Sequence, residues 1–132
     1  LNRRECVFIA TCQSEQIHGE ETEMKEILDL KHKAKFYEEV GDYVTAERLL
    51  SRAIALKERN LGSEHPAMAA DLQSLAMLNL AMEKHERAEE LLVRALGIRR
   101  QELGANHPDV LETINAIALV QMEHEFLTQH WA

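Results

Sequence analysis

Residues 46–66 read AERLLSRAIALKERNLGSEHP, and residues 88–108 read AEELLVRALGIRRQELGANHP. Aligned without a gap, the two stretches agree at ten of 21 positions at an offset of 42 residues. The shared residues are Ala46/Ala88, Glu47/Glu89, Leu49/Leu91, Leu50/Leu92, Arg52/Arg94, Ala53/Ala95, Leu61/Leu103, Gly62/Gly104, His65/His107 and Pro66/Pro108. A period of this length decides the architecture, because each unit of a repeat array is one supersecondary unit. The period also runs beyond the quoted stretches. Leu72, Leu75 and Ala76 map forward onto Ile114, Ile117 and Ala118, while Leu72 and Ala76 map back onto Leu30 and Ala34. The sequence thus holds two full repeats and the first helix of a third.

Each unit reads as two helices. Apolar residues at 88, 91, 92, 95, 96 and 98 keep helical spacing, with Glu89, Glu90, Arg94, Arg99 and Arg100 between them. Gly62 and Gly104 stand where a left-handed C-terminal cap belongs. Pro66 and Pro108 open the following helix, where a missing N–H costs nothing. No run alternates with β-branched enrichment, so no strand is expected. The pattern predicts helices over about 22–40, 43–60, 67–82, 85–102 and 109–124. Connections at 40–43 and 82–85 are short, so partners within a unit should pack antiparallel. Residues 4–17 read as a degenerate second helix of a preceding repeat, since Val7, Phe8 and Thr11 fall 42 before Leu49, Leu50 and Ala53. His18–Glu23 then reads as an acidic linker. The expected organisation is 1–21 as that helix and linker, 22–66 as the first repeat, 67–108 as the second and 109–132 as a partial third.

Composition narrows the function classes. With 132 residues, 45% of them hydrophobic, and only five Gly and two Pro, the chain is neither collagen-like, low-complexity nor disordered. Fifteen basic against 23 acidic residues give a net charge of −8, which makes a poor general binder of nucleic acid. No apolar run exceeds the five residues of Cys6–Ala10, too short for a membrane span, and no signal-peptide pattern is visible. A chain beginning on Leu1 is expected to be part of something longer. Cys6 and Cys12 form neither a disulfide framework nor a CxxC motif, and read as buried thiols in a reducing compartment.

The polar residues suggest no chemistry. No phosphate loop or nucleophile elbow is present, and the many carboxylates lie between apolar positions as a solvated helix face. His124 and His130 stand six apart in HEFLTQH, which is not HExxH, and no Cys is near. His65 and His107 recur at one turn of the repeat, which points to packing or hydrogen bonding there. The expectation is a non-enzyme with no cofactor and no metal.

These residues resemble the tetratricopeptide repeat, a helix-turn-helix unit that stacks into a superhelix. The first repeat supplies Leu30, Ala34, Tyr37, Gly41, Tyr43, Ala46, Leu50 and Ala53 of its pattern; the second supplies Leu72, Leu75, Ala76, Ala88, Leu92 and Ala95. Asn79, Glu83 and His85 replace the usual Tyr, Gly and Tyr. The LG-x-x-HP turn and the 42-residue period look like the kinesin light chain type, also seen in nephrocystin-like proteins. The fold class expected is all-α, a helix-turn-helix solenoid. The small residues would let helices approach, and stacking would bury faces that one repeat cannot cover.

The resemblance implies a function as well. In this family one face of each first helix lines a concave groove, and in kinesin light chains an asparagine pair and basic residues clamp an extended peptide. Asn115 keeps the first asparagine; Gln73 stands at its counterpart, with Ser74 and Ala116 at the second position. Carried onto this chain, the groove holds Lys31, Lys35, Gln73, Met77, Leu80, Asn115, Leu119 and Met122 as the candidate partner-binding residues. Helix 67–82 is apolar nearly all round, more than one buried stripe needs. Met77, Leu80, Leu119 and Met122 therefore read as a hydrophobic docking site flanked by Lys31 and Lys35. Its partner would be an amphipathic helix or an apolar peptide with an acidic end. The implied role is a protein–protein interaction adaptor or scaffold in the cytoplasm, associated with the cytoskeleton or a cilium. The alternative is the repeat tail of a regulated nucleotide-binding protein, acting as an intramolecular sensor. Self-association is a third reading.

Overall fold

The computed structural model describes the backbone of residues 3–131 and the side chains of residues 21–130. Among these, five helices and no strand are found: α1 (Arg3–Glu39), α2 (Tyr43–Leu61), α3 (Ala67–Ala81), α4 (His85–Leu103) and α5 (Pro108–Trp131). Consecutive helices pack on one another, α1 on α2, α2 on α3, α3 on α4 and α4 on α5. One core runs through the stack. Ala34, Ala46, Ala76, Ala88 and Ala95 sit at its close contacts, filled by Leu50, Leu72, Leu75, Leu92 and Ile98. Ile27, Leu30 and Ala53 form a smaller cluster under α1 and α2.

The terminal helices are longer than expected. α1 continues upstream through His18–Glu23 without a break, so that segment is helix rather than linker. Its acidity suggested a solvated connection, but Glu is a good helix former and no proline stands there to interrupt. The side-chain packing of residues 4–17, including Cys6 and Cys12, lies outside the described residues. α5 likewise passes straight through 124–126, where the corresponding residues 82–84 end α3 in a turn.

The turns follow their sequence signals with one refinement. Gly62 and Gly104 close α2 and α4 with φ of 89° and 86° and ψ of 159° and 160°. The positive φ was expected, but this ψ is not the left-handed helical cap; it is an extended region that glycine almost alone adopts. His65 Nδ1 accepts a hydrogen bond from Ala67 N–H (3.1 Å), and His107 Nδ1 accepts one from Asp109 N–H (3.2 Å). The recurrent histidine thus satisfies an orphan donor at the start of the next helix, as an N-cap side chain does. At α2 that task falls to Asp42, whose carboxylate accepts from Thr45 N–H and from the Thr45 hydroxyl.

Polar groups also lie inside the stack. Asp71, the one charged residue of α3, is buried and pairs with Lys31 (2.8 Å) and Lys57 (2.5 Å), tying α1, α2 and α3 together. One repeat later Thr113 replaces it, accepting from Arg99 (2.5 Å) and donating to Asp109 O (2.9 Å). Asn79, standing where Tyr37 stands in the first repeat, is fully buried. Its Nδ2 donates to Leu75 O (2.8 Å), while its Oδ1 has no partner.

Candidate functional site

The candidate residues fall into columns set by the period. Lys31, Gln73 and Asn115 form one; Lys35, Met77 and Leu119 a second; Leu80 and Met122, with Glu38, a third. All lie on α1, α3 and α5. Within the second column every side chain is exposed, Met77 at 48% and Leu119 at 61%. Met122 is also exposed, and Leu80 is half-buried against the core. The columns change chemistry along the stack, from Lys31, Lys35 and Glu38 on α1 to Leu119 and Met122 on α5.

Only three of the eight candidates meet in one concavity. A cleft of about 590 Å3 lies between the end of α3, the start of α4 and the last turns of α5, lined by Leu80, Leu119 and Met122. The rest of its apolar lining is Ala81, Phe126 and Leu127. Met77 is exposed on the same helix as Leu80 but outside this lining, as are Gln73 and Asn115. Lys31 is occupied by Asp71, and Lys35 lies exposed on α1. The two lysines therefore do not flank the cleft.

Polar residues complete the lining. Glu83, His85 and Glu123 face the cleft alongside the apolar groups. Glu83 holds a φ of 61°, a left-handed conformation unusual for a residue with a Cβ, at the position where Gly41 has φ 87°. His85 is 8% exposed; its Nδ1 lies 3.1 Å from Glu83 O and its Nε2 3.7 Å from a Glu123 carboxylate oxygen. His124 stacks on it at 5.7 Å between ring centroids. A second cavity of about 350 Å3 adjoins, lined by Glu83, His85, Glu86 and His124 with Lys84 and Arg87. Both cations there are engaged, Lys84 with Glu47 (3.3 Å) and Arg87 with Glu90 (3.5 Å).

Sequence reasoning overlooked Asp71, His85, Phe126 and Leu127. Asp71 had a signal, being the one charge in an otherwise uncharged helix. Phe126 and Leu127 had none, because the repeat pattern places a turn there. Among the described residues no group of three or more His, Cys, Asp and Glu is placed to hold a metal ion. His130 instead stacks on Phe126 at 4.0 Å. No described helix is long and apolar enough to cross a membrane.

Comparison with known proteins agrees with the stack of helix pairs. Residues 26–101, more than half of the chain, match the tetratricopeptide repeat family model. No curated protein matches the chain significantly. Among solved structures, a kinesin light chain-like protein of Podosopora anserina with nearly identical TPR-like repeats is similar at 25% identity and a TM-score of 0.67. The match covers 78% of this chain and 49% of that one. A point variant of the same protein gives 26% identity and a TM-score of 0.65, covering 77% and 48%. This chain therefore spans about half the length of those structures. The chain belongs to the tetratricopeptide-repeat family, whose members generally mediate protein–protein interaction, and its repeats are of the kinesin light chain type.

Proposed function

We propose that the chain is an adaptor or scaffold module that docks an apolar segment of a partner protein in the cleft between α3 and α5. The observation that carries this reading is the cleft itself. Leu119, Met122 and Phe126 are all more than half exposed, line one concavity and lie on one helix face, although a monomer gains by burying such groups. The exposed Met77 beside them extends the apolar surface along α3, and Gln73 and Asn115 supply polar side chains further along the same face. Methionine at two of these positions suits a surface that must adapt to its partner's shape. If the chain serves as a repeat tail, the same cleft binds a segment of its own protein. A cytoplasmic, cytoskeleton-associated location is the reading that the kinesin light chain-like neighbours favour.

Capture of partners on the immobilised chain, followed by the variant pair Leu119→Glu and Met122→Glu, tests the proposal. Both side chains are largely solvent-exposed, so the helical signal should persist while capture is lost. The pair Met77→Glu and Leu80→Glu should act likewise, with a stability cost at Leu80 because it is half-buried. Capture at undiminished affinity by the Leu119/Met122 variant removes the cleft as the site.

A further inference from the structure

The charges around the cleft name the kind of partner. We infer that its occupant is an amphipathic protein segment whose apolar anchors are flanked by lysine or arginine, with the cationic end seated against Glu83, Glu86 and Glu123. This rests on the cleft being the docking site.

Three observations converge. First, the carboxylates are free to receive a cation. Glu83, Glu86 and Glu123 make no ion pair with Lys or Arg among the described residues, whereas Lys84 and Arg87 beside them are held by Glu47 and Glu90. An incoming guanidinium or ammonium therefore meets acceptors that no Lys or Arg holds, the approach of His85 Nε2 to Glu123 being 3.7 Å. Second, the lysines that would have favoured an acidic partner are elsewhere: Lys31 is bound to Asp71, and neither it nor Lys35 lines the cleft. Third, His85 is more than nine-tenths buried and lines the cleft, with the Glu123 carboxylate 3.7 Å from Nε2, beyond hydrogen-bond distance. His124, stacked on His85 and itself only partly buried, offers a ring at this wall against which an arginine side chain packs well.

The apolar floor and the acidic wall then divide the work. Burial of leucine-like anchors on Leu80, Leu119, Met122 and Phe126 supplies affinity, and the carboxylates choose the orientation and reject acidic segments. The net charge of −8 adds a long-range attraction for the same cationic partner, which salt screens.

Two synthetic 18-residue helical peptides test the inference by fluorescence anisotropy. Both carry leucine at helical spacing along one face; one is flanked by lysines, the other by glutamates. The lysine-flanked peptide should bind at least about tenfold more tightly at low salt, the gap narrowing as salt rises. Replacing Glu83 and Glu123 with Gln should remove most of that gap, while Glu102→Gln, far along α4, leaves it unchanged. Leu119→Glu with Met122→Glu should abolish binding of both peptides. If both peptides bind equally and those two substitutions still abolish binding, the cleft stands as a docking site and the charge inference fails. If binding survives them, or neither peptide binds, the docking site fails and the inference with it. An equal effect of Glu102→Gln overturns the local reading in favour of net charge alone. A dimer that Met122→Glu dissolves would make a second copy of the chain the occupant and also overturn it.

Discussion

Helices α3 and α5 hold the same place in the repeat but not in the stack. In α3, Leu72 and Ala76 are fully buried; 42 residues later, Ile114 is half-buried and Ala118 is exposed. The first turn behaves alike in both, since Met68 and Val110 are each fully buried. α3 lies between α2 and α4, whereas α5 packs on α4 with no described helix following it. In a repeat array burial is a nearest-neighbour property, so one residue pattern is core in the middle and surface at an end. The polar contents differ too. α3 buries a carboxylate held by two lysines, and α5 buries a threonine hydroxyl held by one arginine.

This contrast sets the expected size of each substitution. The largest effect belongs to Asp71→Ala, which strands Lys57 in the interior and should cost about 3–5 kcal/mol in urea denaturation. Its counterpart Thr113→Val should cost less, about 1.5–3 kcal/mol, the net worth of a hydrogen bond from a charged donor. Equal costs would mean that the α2–α3 and α4–α5 junctions are alike, and would break the comparison.

Next in size are the small-residue contacts. Ala76→Leu overpacks a fully buried position and should lower stability by about 1–3 kcal/mol, as should Ala88→Leu. Ala118→Leu, at the equivalent place on α5, should lie within about 0.5 kcal/mol of the parent. A large loss at Ala118 would show that the outer face of α5 is covered in solution. The smallest effect sharpens the turn that follows α3. Glu83→Gly should raise stability by about 1 kcal/mol, because glycine adopts the positive φ without its Cβ penalty. An unchanged denaturation midpoint would mean that the carboxylate at this turn contributes as much as the strain removes.

Part of the site was legible before any packing was known. The columns containing Lys35, Met77 and Leu119 follow from the period alone, and their exposure matches a solvent-facing helix stripe. The charge partner of Lys31 was not legible, because Asp71 lies 40 residues away in sequence and reaches it only through packing. Nor was the cleft's end wall. Phe126 and Leu127 join it because α5 stays helical where α3 turns, although neither 82–84 nor 124–126 carries a glycine or proline to mark the difference.

The order of residues is enough to define the unit: two helices every 42 residues, ended by glycine, restarted at a histidine–proline turn and tied by small residues at the contacts. These are local matters, set by apolar spacing, by the φ that only glycine adopts freely and by the donors left open at a helix start. Packing alone settles which copy of each repeated position is buried, which lysine is free, and where apolar and acidic groups share a wall. Those depend on what lies across the gap between helices, and a period that copies residues from unit to unit does not copy their neighbours.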